Sequence, residues 1–266
     1  MPLVLHPLFA RFGSRASLAA TAAFTALVML PTSANGAVTR IGTNLAELTD
    51  YGTQVPSLNL FKVGREWFTA SANTFDTGEA ARLDRDNGGW LRSLRPTGAG
   101  SAQFDRACTL IFSMGAVEGG PLNGRLPYPA GPYVVRYDGQ GTLDYRIAAR
   151  KNTALSVPGR DVIDVVPQTP GIQICVTATD PSGTGDYLRN IRVYAPGTEA
   201  RGEAGDLFQD DFLARLRPFG ALRFMDWMRT NNSTQGAASD RPLPSDYTYA
   251  TEHKGVPAEV MVNLAN

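Results

Sequence analysis

Histidine is scarce in this chain of 266 residues, and a large excess of charge of either sign is absent. His6 lies in the leader described below, so His253 is the one histidine of the remaining sequence. A zinc site built from several histidines is therefore excluded, whereas a Ser-His-Asp triad that uses His253 stays formally available.

The 25 basic residues balance the 25 acidic residues, and removing residues 1–36 takes away two arginines and no acid, which leaves a net charge of about −2. Nucleic-acid binding needs a basic surface, so we expect no nucleic-acid partner. The hydrophobic content of 43% instead predicts a folded chain whose core is large enough for one large domain or two smaller ones.

The first 36 residues differ in kind from the rest. Two arginines precede the apolar residues 18–30, which are followed by Pro31 and a series of small residues. This order predicts a signal peptide over residues 1–36, cleaved after Gly36 or Ala37, and a secreted protein, either extracellular or periplasmic. The alternative is an uncleaved membrane anchor. The apolar run is shorter than the roughly 20 residues that cross a bilayer, so we expect no stable membrane span after cleavage.

Two cysteines, Cys108 and Cys175, lie in the part of the chain that would be exported to an oxidising compartment, where they could pair. Cys108 alternates with Leu110 and Phe112, whereas Cys175 alternates with polar residues, so the two segments have different apolar phases. Two interpretations stay open, a disulfide or two unpaired buried thiols.

Short segments with a two-residue alternation of apolar side chains fill residues 75–197, and turn signals rich in glycine, proline and aspartate separate them. Such spacing, without helical periodicity between the segments, predicts an antiparallel, jelly-roll-like β-sandwich. Seven segments carry the pattern: "WLRSL", "ACTLIFSM", "YVVRYD", "TLDYRIA", "RDVIDVV", "IQICVTA" and "YLRNIRVYA".

The flanking segments follow a different pattern. Residues 40–46 are predicted to form a short strand and residues 55–68 an irregular or helical segment. Apolar residues at helical spacing predict a helix over residues 208–216, a nearly continuous apolar stretch predicts a strand over residues 222–228, and Pro257 opens a last helix. Helix, strand, loop and helix indicate an α/β unit with a parallel strand pair. The predicted fold class is α+β, with the sandwich either inserted into that unit or appended beside it.

Four segments, in this order, resemble the start of large secreted bacterial proteins that are related to TIM-barrel glycoside hydrolases: "GTNLAELTDYGTQVPSLNLFKVGREW", "GTGDYLRNIRVYAPG", "LRFMDWMRTNNS" and "GVPAEVMVNLAN". In that family a β-sandwich follows the first barrel strand. The resemblance implies an incomplete TIM (β/α)8 barrel, in which residues 37–74 hold the first strand, residues 75–197 the inserted sandwich and residues 198–266 a further βα unit. The sequence stops within the last predicted helix, which led us to expect an N-terminal part of a longer protein.

Barrel active sites lie at the carboxyl ends of the strands, so the resemblance implies substrate-binding residues there. Asp226 could bind sugar hydroxyls, and its alternative role is as an ion-pair partner of Arg223 or Arg241. Trp227 or Trp67 could offer an apolar face to a sugar ring, and the alternative for both is a place in the core. The amides at 231 and 232 have an alternative role in a turn, and His253 with Glu252 is expected in an exposed loop. The implied substrate-binding residues are Asn44, Asp226, Trp227, Arg229, Thr230, Asn231 and Asn232.

The related barrels carry an Asn-Glu pair and a second glutamate after later strands, beyond the positions that this sequence covers. Ordinary glycoside hydrolysis needs two carboxylates about 5–10 Å apart, and we assign no such pair here, so the catalytic residues stay unknown. No cofactor is expected, with calcium at the turn residues Asp138, Asp180 and Asp186 as the alternative.

The expected function is that of a secreted carbohydrate-active protein, the N-terminal portion of a glycoside hydrolase-like barrel, with a polysaccharide or oligosaccharide partner and no catalysis by this chain alone. One alternative is a non-catalytic carbohydrate-binding or surface-interaction protein that uses the sandwich. Another is a nonfunctional truncation, because two barrel strands leave unpaired edges. The pattern specifies no oligomeric state.

Overall fold

Short, mostly antiparallel strands dominate the protein, whose computed structural model describes residues 41–114, 126 and 128–266. The predicted signal peptide lies outside these residues. The helices within them are α1 (Glu199–Glu203), α2 (Asp210–Leu216) and α3 (Ala258–Ala265), with short 3-10 helices at Leu60–Val63, Ala80–Arg82 and Ala238–Asp240. The strands are β1 (Gly42–Asn44), β2 (Phe68–Ala70), β3 (Asp84–Arg85), β4 (Leu91–Ser93), β5 (Arg106–Ile111), β6 (Gly131–Asp138), β7 (Gly141–Ile147), β8 (Ala149–Lys151), β9 (Arg160–Val165), β10 (Ile172–Thr179), β11 (Arg189–Tyr194) and β12 (Ala221–Arg223).

Two four-stranded antiparallel sheets form the centre of the chain, a first sheet in the order β2-β5-β10-β7 and a second sheet in the order β11-β6-β9-β8. Both sheets contribute to one hydrophobic cluster, for example through Ile174 of β10 and Val135 of β6. Successive side chains of a strand point to opposite faces, so alternation in the sequence places one face of each sheet in this cluster. The α+β prediction with antiparallel sheets is confirmed.

Each of the seven predicted segments contains a strand, but β2, β3 and β8 were not predicted. Strand β2 pairs with β5, and Phe68 lies opposite Cys108. The first sheet therefore begins before residue 75, the predicted start of the sandwich. Three-residue strands such as β2 and β8 are too short to show an alternation, which explains why the pattern did not reveal them.

Cys108 and Cys175 form a disulfide, which resolves the open choice between a bridge and two thiols. The two residues lie opposite each other on β5 and β10, with Cα atoms 4.0 Å apart. Leu110 packs with them in a small cluster on the outer face of the first sheet, away from the main core. The different apolar phases do not prevent the bridge, because the apolar Leu110 lies on the same face of β5 as Cys108, outside the main core. Phe112, with a φ of 61°, also departs from the strand alternation.

Strands β1 and β12 pair in parallel, with Gly42 opposite Ala221, although both four-stranded sheets lie between them in the sequence. The predicted parallel pairing is confirmed, whereas the predicted strand over residues 222–228 is too long. After Arg223 the extended conformation ends in a turn, in which the Met228 N–H donates to the Phe224 carbonyl at 2.9 Å. In the described part, the sheet of β12 has two strands, and beyond Arg223 the backbone is bonded to a loop, where the Trp227 carbonyl accepts from the Val256 N–H at 2.8 Å.

A second hydrophobic cluster joins the helices to the parallel pair. Phe212 of α2 and Val260 of α3 are buried in it, as the predicted helices require. Phe208 is buried there too, but it precedes α2 and bridges to Ser57, so the helix predicted over residues 208–216 begins two residues later. Leu45, which follows β1, and Trp227, which follows β12, fill the space between them. Helix α3 begins directly after Pro257, which supplies its N-terminal cap position. No helix of the described residues is long and apolar enough to cross a membrane.

Candidate functional site

A polar cleft of about 540 Å³ lies between the turn that joins β3 to β4 and the loop that follows β12. Carboxylates, amides, hydroxyls and cationic side chains line it, so the cleft can both donate and accept hydrogen bonds. One wall consists of Arg85, Asp86, Asn87, Gly88 and Gly89, the other contains Thr234, Asp246, Tyr247, Thr251, His253 and Lys254, and Glu66 lies between them.

The two walls of the cleft are joined by hydrogen bonds between residues far apart in the sequence. The Tyr247 N–H donates to the Gly88 carbonyl at 2.9 Å. The Trp90 Nε1 donates to the Ser245 carbonyl at 3.1 Å. These bonds position the loop after β12 against the β3–β4 turn, so the width of the cleft is set by the folded chain.

Tyr247 is the aromatic residue that lines the cleft, and it packs on a buried aromatic cluster. The rings of Trp67 and Tyr247 stack with centroids 5.6 Å apart, and Trp90 meets Tyr247 edge-on at 6.1 Å. The Tyr247 hydroxyl accepts a hydrogen bond from the backbone N–H of Trp67 at 3.3 Å. Burial raises the pKa of Tyr247, and the negative charge of Glu66 raises it further, so the phenol stays protonated at neutral pH. Trp67 is buried, which supports its alternative role in the core.

Two of the carboxylates that line the cleft are held in the framework. Asp86 accepts hydrogen bonds from the Tyr187 hydroxyl at 2.8 Å and from the Trp90 N–H at 2.9 Å. Asp246 is 8% exposed and accepts from the Leu243 N–H at 3.0 Å. Burial raises the pKa of Asp246, although that backbone N–H opposes the shift. These two carboxylates shape the walls.

Glu66, Arg85 and His253 are the exposed ionisable groups of the cleft. Glu66 accepts a backbone hydrogen bond from Glu252 at 3.4 Å, near the limit of such a contact. His253 Nδ1 lies 3.1 Å from the Asn232 carbonyl, and His253 Nε2 lies 3.7 Å from a Glu252 carboxylate oxygen. The predicted exposed loop around His253 is confirmed, and this loop forms part of the cleft wall.

None of the seven predicted substrate-binding residues lines the cleft. Trp227 is 1% exposed and stacks on Phe212, so it is a core residue, and its predicted contact with a substrate is wrong. Its position directly after a strand end indicated a rim residue, but the backbone turns there and points the ring inward. Arg229 forms an ion pair with Glu47 and donates to the Leu48 carbonyl at 3.2 Å, which uses its guanidinium within the fold.

The other predicted residues lie near the turn after β12 or at the end of β1. Thr230 donates its hydroxyl to the Met225 carbonyl at 2.9 Å and lines a neighbouring depression of about 430 Å³. Asn44, Asn231 and Asn232 are exposed. Asp226 is half-buried and forms no ion pair with Arg223 or Arg241 in the described chain; Arg241 instead pairs with Glu259 at 2.6 Å.

Sequence reasoning missed Glu66 and the wall at residues 85–89, because it searched only the ends of the two barrel-like strands. Asp86-Asn87-Gly88-Gly89 is a strong turn signal that could have located this wall. The turn aspartates have protein partners, since Asp180 accepts from the Thr184 and Gly185 N–H groups, both at 2.9 Å. Among the described residues no group of three acidic, histidine or cysteine side chains is placed to hold a metal ion.

Comparison with known families, curated proteins and solved structures gives no match to this chain. The chemistry of the cleft follows from its own residues, which combine the aromatic ring of Tyr247 with uncharged and charged hydrogen-bonding groups.

Proposed function

We propose that the protein is a secreted carbohydrate-active protein that binds an oligosaccharide or a polysaccharide chain in the cleft. The observation that carries the proposal is the polar cleft above Tyr247. Small-molecule sites combine an apolar or aromatic surface with a few well-placed polar groups. A sugar ring offers both C–H faces and hydroxyl groups, and the amide of Asn87, the hydroxyl of Thr251 and the carboxylate of Glu66 provide matching donors and acceptors.

The proposal includes a relation of this chain to the N-terminal portion of a glycoside hydrolase-like barrel, and the strand arrangement supports that relation. A parallel pair, β1 and β12, is interrupted in the sequence by two antiparallel sheets and followed by helix α3. A (β/α)8 barrel with a jelly-roll-like sandwich inserted after its first strand would begin in this way. In such a barrel the loop after β12 would lie at the substrate-binding end, and residues of this loop line the cleft.

We assign binding, and no hydrolytic step, to the described residues. Glycoside hydrolysis needs two carboxylates with separate roles. Asp86 and Asp246 already accept framework hydrogen bonds, which leaves Glu66 as the cleft carboxylate most open to a ligand. Its role in the proposal is to accept hydrogen bonds from sugar hydroxyls.

The test is a binding measurement on the wild-type protein and on Glu66→Gln, with Asp211→Asn as a control, because Asp211 is an exposed carboxylate on α2 away from the cleft. Titration calorimetry with soluble oligosaccharides and sedimentation with insoluble polysaccharides would measure the dissociation constants. A hydrogen bond to a charged group contributes about 1.5–3 kcal/mol, so Glu66→Gln should weaken binding roughly tenfold or more.

The control should bind like the wild type. Absence of binding to every sugar would refute the proposal. Binding that Glu66→Gln leaves unchanged would place the sugar elsewhere and favour the alternative in which the two antiparallel sheets carry a non-catalytic binding surface.

A further inference from the structure

Lys62 has an environment unlike that of the other two lysines in the sequence, Lys151 and Lys254. Lys151 forms an ion pair with Asp161 at 2.7 Å, and Lys254 lines the cleft. Lys62 forms no ion pair with a carboxylate in the described part of the chain, and it lines a separate cavity of about 410 Å³. An amine without a bound counter-ion, next to a cavity, is the first requirement for a nucleophilic lysine.

The Lys62 amine is hydrogen-bonded to backbone carbonyls, and these contacts can be made by its uncharged form. Its Nζ donates to the Pro244 carbonyl at 2.9 Å and to the Asp246 carbonyl, and it lies 4.8 Å from the centroid of the Tyr249 ring. A neutral amine has two N–H donors and one lone pair. The two carbonyls can accept both donors, which leaves the lone pair free to attack an electrophile.

The burial of Lys62 favours the neutral amine more strongly than the nearby carboxylates oppose it. Burial lowers the pKa of Lys62 to about 8, Arg192 of β11 acts in the same direction, and the negative charge of Asp246 opposes it. Asp206 and Glu259 also line the cavity. With a pKa of about 8, about 10% of the amine is neutral at pH 7, against about 0.04% for an ordinary lysine.

The cavity is of a size for a small molecule, because ligand sites begin at about 300 Å³. Tyr194, Leu207, Tyr249 and Val260 provide apolar walls, and Asn59 adds a polar group. Burial of the amine disfavours the ammonium and excludes part of the water that would compete with a reactive carbonyl.

We propose that Lys62 is a nucleophilic amine that captures small aldehydes in this cavity as an imine. The Lys62 nitrogen forms a bond to the aldehyde carbon, the two hydrogens of the neutral amine pass to the carbonyl oxygen, and that oxygen leaves as water. Nothing is oxidised or reduced in this step. The site is distinct from the sugar-binding cleft and does not depend on the proposed function.

The experiment treats the full-length protein with glycolaldehyde and sodium cyanoborohydride, which reduces each imine to a stable secondary amine, and then measures each modified lysine by mass spectrometry. At pH 7.5 Lys62 should be modified at least ten times faster than Lys254, and its rate should level off above about pH 8. A rate at Lys62 equal to or below that of Lys254 would overturn the proposal, and so would a rate that keeps rising without a plateau near pH 8.

A pair of substitutions on α3 separates reaction in the cavity from reaction at the surface. Asn263 is exposed and lines the mouth of the cavity, whereas its neighbour Val262 is exposed and does not line it. Asn263→Trp should slow the modification of Lys62 at least fivefold and leave Lys254 unchanged. Val262→Trp should leave both lysines unchanged. Equal rates at Lys62 in the two variants, both folded by circular dichroism, would contradict capture within the cavity.

Discussion

Gly89, in one wall of the cleft, packs against the ring of Tyr247 in the other wall, and this contact leaves no room for a side chain at position 89. Its φ is 83°, a left-handed conformation, and a Cβ built there would lie 2.5 Å from Cε1 of Tyr247. Carbon atoms normally pack at about 3.5–4.0 Å, so the overlap is about 1 Å or more. The Tyr247 ring stacks on Trp67, and the Tyr247 backbone is bonded to Gly88, so the ring has little room to retreat.

Gly89→Ala should therefore lower the free energy of unfolding through two separate terms. The left-handed conformation costs about 1–2 kcal/mol for a residue with a Cβ, and overpacking typically costs about 1–3 kcal/mol. Gly98 provides a matched control, because its φ is 81° and nothing lies within 4 Å of the position of its Cβ. Gly98→Ala should lower the free energy of unfolding only by the cost of the left-handed conformation.

Urea denaturation followed by tryptophan fluorescence measures both variants. We expect a loss of about 2–5 kcal/mol for Gly89→Ala and about 1–2 kcal/mol for Gly98→Ala, with weaker sugar binding in the first variant only. Equal losses in the two variants would refute the reasoning, because the packing of Tyr247 against Gly89 would then contribute nothing.

Three further predictions follow from other parts of the fold. Replacing Cys108 and Cys175, which are 67 residues apart in the sequence, with alanine should lower the free energy of unfolding by about 4 kcal/mol in urea, and an unchanged value would contradict the bridge. The Arg160 guanidinium lowers the pKa of Glu199 to about 2, so this ion pair stabilises the fold above about pH 4.5 and ceases to do so as the pH falls towards 2; partial exposure limits its contribution to about 1–2 kcal/mol. The stability difference between wild type and Glu199→Gln, measured from pH 7 to pH 2, should therefore shrink in acid, and a constant difference would rule out the linkage. Trp227→Ala should cost about 3–5 kcal/mol in the same urea assay, and a cost below 1 kcal/mol would contradict its place in the core.

Much of the fold was predictable because it depends on local periodicity. Alternating apolar residues located all seven of the predicted strand segments, helical spacing located α2, and Pro257 located the start of α3. The parallel pairing of β1 and β12 was also predictable, since their segments were the two strand-like parts of an otherwise helical pattern. Strands β2, β3 and β8 were missed, because a period of two needs more residues to appear than these strands contain.

The candidate site was much less predictable. Glu66, Asp86 and His253 are separated by long stretches of sequence, and each is unremarkable in its own segment. Their meeting depends on which loop is bonded to which turn, as in the bond between Tyr247 and Gly88. The roles of Trp227 and Arg229 were misjudged for the same reason, because the direction of the chain after β12 is set by its contacts with Phe212 and Glu47.

The sequence by itself determined the type of most elements, the scarcity of histidine and the amphipathic faces that make the core. The tertiary structure alone decided the register that brings Cys108 opposite Cys175, the burial of Trp227 and the composition of the cleft. The physical reason is that periodicity tells which face of an element is apolar. Which elements then meet depends on packing and hydrogen bonds summed over the whole chain.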